Sequence, residues 1–287
     1  LFGFLRRRVG LLTACVGAAW VANLPLISFV TAPPPGSGAA SAMGDVPLSL
    51  FVLGASLAAA DAVDGRRVRG CLEAGLLLGF AALTKNEGLP LVAGLGLGLL
   101  LALPRARLKI AAGTCGLGLA VFLAAWGLVM VGLPALDEDY LGQLRGDAIR
   151  SGLDRLGLIA FHANGLLMEW LDLRSWNVTW PALALLLALG GRRLLGRGPR
   201  LMLVVLLVQL GSYVFAYSIT RWTSPAAELE TASGDPLTYL LSLTLGRLLL
   251  QIAPLAVALA LVVSPVLTAA REAADEDVKK PVPDGSG

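Results

Sequence analysis

The sequence predicts an all-α polytopic membrane protein with about eight transmembrane segments. Three observations carry this. Hydrophobic residues make up 56 % of the chain and charged residues 15 %, with a mean hydropathy of +0.75. Soluble domains carry about 25 % charged residues, so lipid rather than water is the expected solvent. Apolar runs recur along the whole length, separated by short polar loops. Finally, alternate loops hold Arg6–Arg8, Arg66/Arg67/Arg69, Arg105/Arg107/Lys109, Arg192/Arg193/Arg197/Arg200 and Arg271/Lys279/Lys280, which is sixteen of the 23 Lys and Arg. By the positive-inside rule those loops face the cytoplasm, and the intervening loops face outward.

The elements follow in order. Arg6–Arg8 precede a first apolar segment, 9–30, containing Asn23 and Pro25. Residues 31–44 are rich in Pro, Gly, Ser and Ala and read as a loop. A second segment, 46–63, ends at Asp64-Gly65. Two short runs, 71–84 and 89–103, form the third and fourth crossings, and a fifth spans 110–133. Residues 135–180 differ: Leu141, Leu144, Ala148, Leu153, Leu156 and Ile159 recur at helical spacing among charges, predicting an extracytoplasmic helix lying in the interface. Trp170, Trp176 and Trp180 suit an interfacial aromatic belt. Segments 181–191, 201–220 and 239–267 complete the crossings. The domain is placed at 1–270, and the charged tail 271–287 reads as disordered and cytoplasmic. Opening at Leu1 rather than Met, the sequence reads as N-terminally incomplete.

Lys85-Asn86-Glu87 is the centre of interest, because it joins the two short runs. As helices these arms are only ~21–22 Å long, at ~1.5 Å per residue, whereas the hydrocarbon layer is ~30 Å thick. The turn is therefore expected below the membrane surface, where ionisable groups usually mark a substrate or ion path. Pro90 suits the first turn of the returning helix, whose free N–H groups favour an anion. Lys85 adds a mobile charge of the kind that holds phosphate. The plain alternative is a Lys85–Glu87 pair that merely neutralises a tight turn.

Other candidates flank it. Asp45 opens the second segment as a helix cap, a metal ligand or an acid/base group. Arg247 and Gln251 lie four apart, on one face of the last helix. There the arginine either snorkels to the interface or meets an anion with its fork. Arg221 shares the outer side with them. Asp137-Glu138-Asp139 reads as a solvated loop with cation binding as the lesser option, His162 as structural, and Asn177-Val178-Thr179 as a weak glycosylation match. Cys15, Cys71 and Cys115 lie in apolar runs without C-x-x-C spacing and read as small hydrophobes. No basic run interleaves with aromatics, which sets nucleic acid aside as a partner.

The stretch Gly79-Phe80-Ala81-Ala82-Leu83-Thr84-Lys85-Asn86-Glu87-Gly88 resembles the Thr-Lys-x-Glu-Gly turn of bacterial GT-C membrane glycosyltransferases. These enzymes are similar to dolichyl-phosphate-mannose–protein mannosyltransferases and the aminoarabinose–lipid A transferase. Gly44-Asp45-Val46-Pro47-Leu48 looks like the family's Asp-x-Pro-Leu helix start, and Thr223-Ser224-Pro225 and Thr244-Leu245-Gly246-Arg247 resemble its late Thr-Pro and Ser-x-x-Arg elements. The likeness runs from about residue 1 to 267, and only the Lys-Asn-Glu-Gly turn is fairly specific.

The resemblance implies sugar transfer at the extracytoplasmic face of a bacterial inner membrane. The donor would be a polyprenyl-phosphate-linked sugar, the acceptor a lipid, glycan or protein, and a divalent cation is possible. Lys85, Asn86, Arg221, Arg247 and Gln251 would form the donor-phosphate site, with Lys85 and Arg247 steadying the leaving group. Asp45 and Glu87 would be the catalytic carboxylates. The general base is expected in a first extracytoplasmic loop upstream of Arg6, and Leu240 stands where the family would place a histidine. The competing class is a secondary transporter with a membrane-buried Lys85/Glu87 site. A transporter often shows repeated halves, and the Lys-Asn-Glu turn has no second copy.

Overall fold

A computed structural model describes residues 1–22, 45–65, 69–84, 88–131, 179–219, 236–265 and 267. Among them every regular element is helical. The helices are α1 (Phe2–Val9), α2 (Leu11–Ala22), α3 (Asp45–Val63), α4 (Gly70–Thr84), α5 (Leu89–Ala102), α6 (Arg105–Val131), α7 (Thr179–Gly190), α8 (Arg197–Ile219) and α9 (Pro236–Val263). A 3-10 turn, Gly191–Leu195, follows α7. Stretches of α3, α6 and α8 (Asp45–Val63, Arg105–Ala125 and Arg197–Ala216) are long and apolar enough to cross a membrane. Helices α2, α4 and α5 are apolar but shorter.

Helix boundaries follow from local chemistry. Gly10, at φ 92°, ends α1 and lets it fold back onto α2, so the first segment does not run on from Val9 as its hydropathy suggested. Pro90 sits in the first turn of α5, where its missing N–H costs nothing. The two short arms match their predicted bounds to within a residue. Arg105, Arg107, Lys109, Arg197 and Arg200, expected in loops, lie instead in the first turns of α6 and α8. Pro104 and Gly196 start those helices earlier, as their carbonyls accept the first helical bonds. Asp64 offsets the basic start of α8 by accepting from the Gly198 N–H at 3.0 Å.

The core is built around α3 and α9. Helix α3 packs against α4, α8 and α9, with α6 outside α4, α5 outside α8 and α7 outside α9. From Gln251 to Leu261, α9 is buried on every side, the pattern of a central helix. Ala55, Ser56, Ala58, Ala59 and Ala60 let neighbours approach α3 closely. The outside is apolar too: Leu12, Ile110 and Leu128 are 79 %, 73 % and 80 % exposed, a surface that suits lipid. Cys71 and Cys115 are buried as small hydrophobes, whereas Cys15 is exposed. Trp180 is packed into the core, not turned outward as a belt residue, because α7 lies against α9.

Close contacts give the helix directions. Ala58 and Ala62 meet Gly70, and Gly54 meets Leu77, so α3 and α4 are antiparallel. Gly75 meets Cys115 and Gly79 meets Phe122, so α4 and α6 are parallel. Gly94 and Gly98 meet Val205 and Leu201, so α5 and α8 are antiparallel. Consequently every described Lys and Arg except Arg247 lies at the Asp64 end of α3, away from Asp45. At the Asp64 end, Arg8 donates to Asp61 and pairs with Asp64 at 2.6 Å, and Arg7 holds the second Asp61 oxygen.

Gly75 is required where it stands, since a Cβ there would strike the Cys115 backbone carbonyl. Gly75→Val is expected to cost about 2–3 kcal/mol in detergent-micelle unfolding, by forcing α4 and α6 apart. Gly113→Val is the control, as a Cβ at Gly113 meets nothing within 4 Å. Equal stability of the two variants would contradict this packing.

Candidate functional site

At the opposite end of α3 lies a second polar cluster, built from three helices. Asp45 is the first residue of α3 and is wholly buried. Its Oδ2 accepts from Arg247 Nε at 2.8 Å, and its Oδ1 accepts from Gln251 Nε2 at 2.8 Å. Tyr213, on α8, donates its hydroxyl to Gln251 Oε1 at 2.8 Å. The Asp45 side chain is 1 % exposed, while that of Arg247 is 30 % exposed. The carboxylate is therefore the interior of the cluster, and the guanidinium is its outer edge.

Each helix supplies its group for a local reason. Arg247 and Gln251 are one turn apart, so both reach the same carboxylate from one face of α9. An acid in the first turn of α3 also suits the positive end of that helix. Helices α8 and α9 continue past the level of the cluster. Six residues follow Tyr213 and eleven precede Arg247, about 9 Å and 16 Å of helix. The cluster is thus recessed relative to those helix ends. Along α3 it stands about 24 Å from Asp61, so the two polar clusters mark opposite ends of one spine.

Three predicted site residues, Asp45, Arg247 and Gln251, are thereby brought together across the chain. Lys85, Asn86, Glu87 and Arg221 lie outside the described residues, as do His162, Asp137-Glu138-Asp139, Thr223-Ser224-Pro225, the tail and the expected interfacial helix. The flanks of the Lys-Asn-Glu stretch are described. Thr84 ends α4 at the Asp45 end of the antiparallel α3/α4 pair, and Gly88 lies against the Ala81 carbonyl one turn earlier. No side chain beyond glycine fits that approach. Phe51 stacks on Phe80, with ring centroids 5.4 Å apart, and Phe122 packs tilted against Phe80 at 4.3 Å, joining α3, α4 and α6.

Tyr213 was not singled out from sequence. Its signal was available: Gln209 and Tyr213 stand four apart in a mostly apolar segment, the same spacing as Arg247 and Gln251. Gln209 is also fully buried, one turn from Tyr213. For a divalent cation, no group of three His, Cys, Asp or Glu side chains converges among the described residues. Asp45, with both oxygens committed to Arg247 and Gln251, does not by itself make such a site.

The fold and cluster define a class: a helical protein with, among the described residues, three helices long and apolar enough to cross a membrane and a buried, charge-paired site at one end of α3. Compared with protein-family models, curated proteins and solved structures, the chain matches none.

Proposed function

We propose that the chain is an integral-membrane glycosyltransferase of GT-C type. It moves a sugar from a polyprenyl-phosphate donor to a lipid, glycan or protein acceptor at the extracytoplasmic face. The observation that carries this reading is the convergence of Asp45, Gln251 and Arg247, with only the arginine reaching outward. A guanidinium presents a planar fork of N–H donors that matches phosphate oxygens, and here it sits on the exposed side of the pair. In this reading Arg247 and Lys85 stabilise the departing polyprenyl phosphate, with Asn86, Gln251 and Arg221 completing the phosphate site and Glu87 orienting Lys85 or the acceptor.

The alternating helix directions support about eight crossings. The concentration of Lys and Arg at the Asp64 end supports a cytoplasmic placement of that end, and so an outward-facing Asp45 cluster. The two short arms support a turn held beneath the lipid surface.

The test is release of radiolabelled hexose or pentose from synthetic undecaprenyl-phosphate sugars by the full-length protein in liposomes. Lys85→Ala and Arg247→Ala are each expected to slow release about 100-fold or more, with rates compared per folded protein. Undiminished release by both variants, or none by the wild type, overturns the assignment. Entry of labelled substrate into the lumen without bond cleavage identifies the transporter class instead.

A further inference from the structure

We propose that Tyr213 and Gln251 are positioning residues that act through Asp45 to hold the Arg247 guanidinium, and that Asp45 is the anchor of this arginine rather than a proton acceptor in group transfer. The hydrogen-bond chain has only one consistent direction. A carboxylate with two donors on it can only accept, so Gln251 must turn Nε2 towards Asp45. Its Oε1 then faces α8, and the Tyr213 hydroxyl must donate. The links run in series: the phenol donates to the amide oxygen, the amide donates to one carboxylate oxygen, and Arg247 Nε donates to the other.

Burial assigns the roles. Taking a proton from an acceptor would require a substrate hydroxyl to reach a carboxylate whose side chain is 1 % exposed and which already accepts from Arg247 and Gln251. Arg247, at 30 %, is the member of the pair that an incoming anion meets. A guanidinium on a long side chain loses rotamer freedom when it orders a ligand. Pinning Nε beforehand removes part of that cost on a side chain that remains 30 % exposed. Tyr213 thus influences the ligand through three intervening residues, Gln251, Asp45 and Arg247, without touching it.

Two measurements on the full-length protein test this. The first does not depend on the proposed function: solvent exchange of the Arg247 Nε–H, followed in arginine-labelled protein and assigned by its loss in Arg247→Lys. Tyr213→Phe, which keeps the ring, and Gln251→Met, which keeps the volume, are each expected to speed exchange about tenfold or more. Unchanged exchange in both overturns the positioning role. The second measurement rests on the proposed function and uses undecaprenyl phosphate in nanodiscs as the probe. Tyr213→Phe is expected to weaken binding about tenfold in the wild type and to add no further loss in Arg247→Lys. A loss that adds in full shows that Tyr213 does not act through the arginine. If the wild type does not bind the probe, the phosphate reading fails and the exchange result alone decides the positioning.

Discussion

Arg247→Leu is expected to cost about 3–5 kcal/mol of unfolding free energy, more than Asp45→Ala at about 1–3 kcal/mol. The asymmetry follows from burial. Removing the arginine takes away the cation that pairs with a carboxylate only 1 % exposed, while the Gln251 amide still donates to it. Without the aspartate, the charge that remains sits on a side chain 30 % exposed, which can rehydrate. Its main cost is then the buried Gln251 Nε2 that has lost its acceptor. Titration of the purified variants with SDS in mixed micelles measures both. Equal losses, or the reverse order, would contradict a buried anchor with an outward-facing cation.

The second large effect is expected at the other end of α3. Arg8 and Asp61 are both buried, their side chains 5 % and 2 % exposed. Arg8 also holds Asp64, which accepts from the start of α8. Arg8→Ala leaves Asp61 with Arg7 alone, and Arg7 is 46 % exposed. A loss of about 3–5 kcal/mol is expected, with α1 released from α3. Because a buried pair gains little over apolar packing of the same size, the double variant Arg8→Met/Asp61→Leu should recover most of that loss. The same micelle titration checks it, with protease sensitivity at α1 as the local readout. A double variant as unstable as Arg8→Ala would mean that the charges themselves hold this end.

Much of the helical framework was legible from residue order, because apolar runs bounded by Pro, Gly and charges leave few choices. Both short arms and α3 begin and end within about one residue of their expected limits. What hydropathy could not place was the basic residue that continues a helix rather than ending it. Arg105 and Arg197 have the composition of loops but follow Pro104 and Gly196, which start helices. The break at Gly10 was hidden for the opposite reason, since apolar residues lie on both sides of it.

The site was legible where charge is rare. Asp45 and Arg247 stand out in apolar surroundings, and Gln251 follows Arg247 by helical spacing. Tyr213 and Asp61 were missed because polar residues within an apolar run, even when spaced on one helix face, carry no local signal for a partner on another helix. Only the packing of α8 on α9, and of α1 on the end of α3, supplies one. Pairing across 202 residues, as between Asp45 and Arg247, is a property of the fold and not of any window of sequence.

The most direct measurement is retention of undecaprenyl phosphate against undecaprenol, by native mass spectrometry of the protein released from nanodiscs. The two lipids differ only in the phosphate, so the comparison isolates the proposed anion site from the greasy surface around it. Expected is selective retention of the phosphate by the wild type, and loss of that selectivity in Arg247→Leu. Equal retention of alcohol and phosphate, or a preference that survives removal of both Arg247 and Lys85, would contradict a lipid-phosphate site at the Asp45 end of α3.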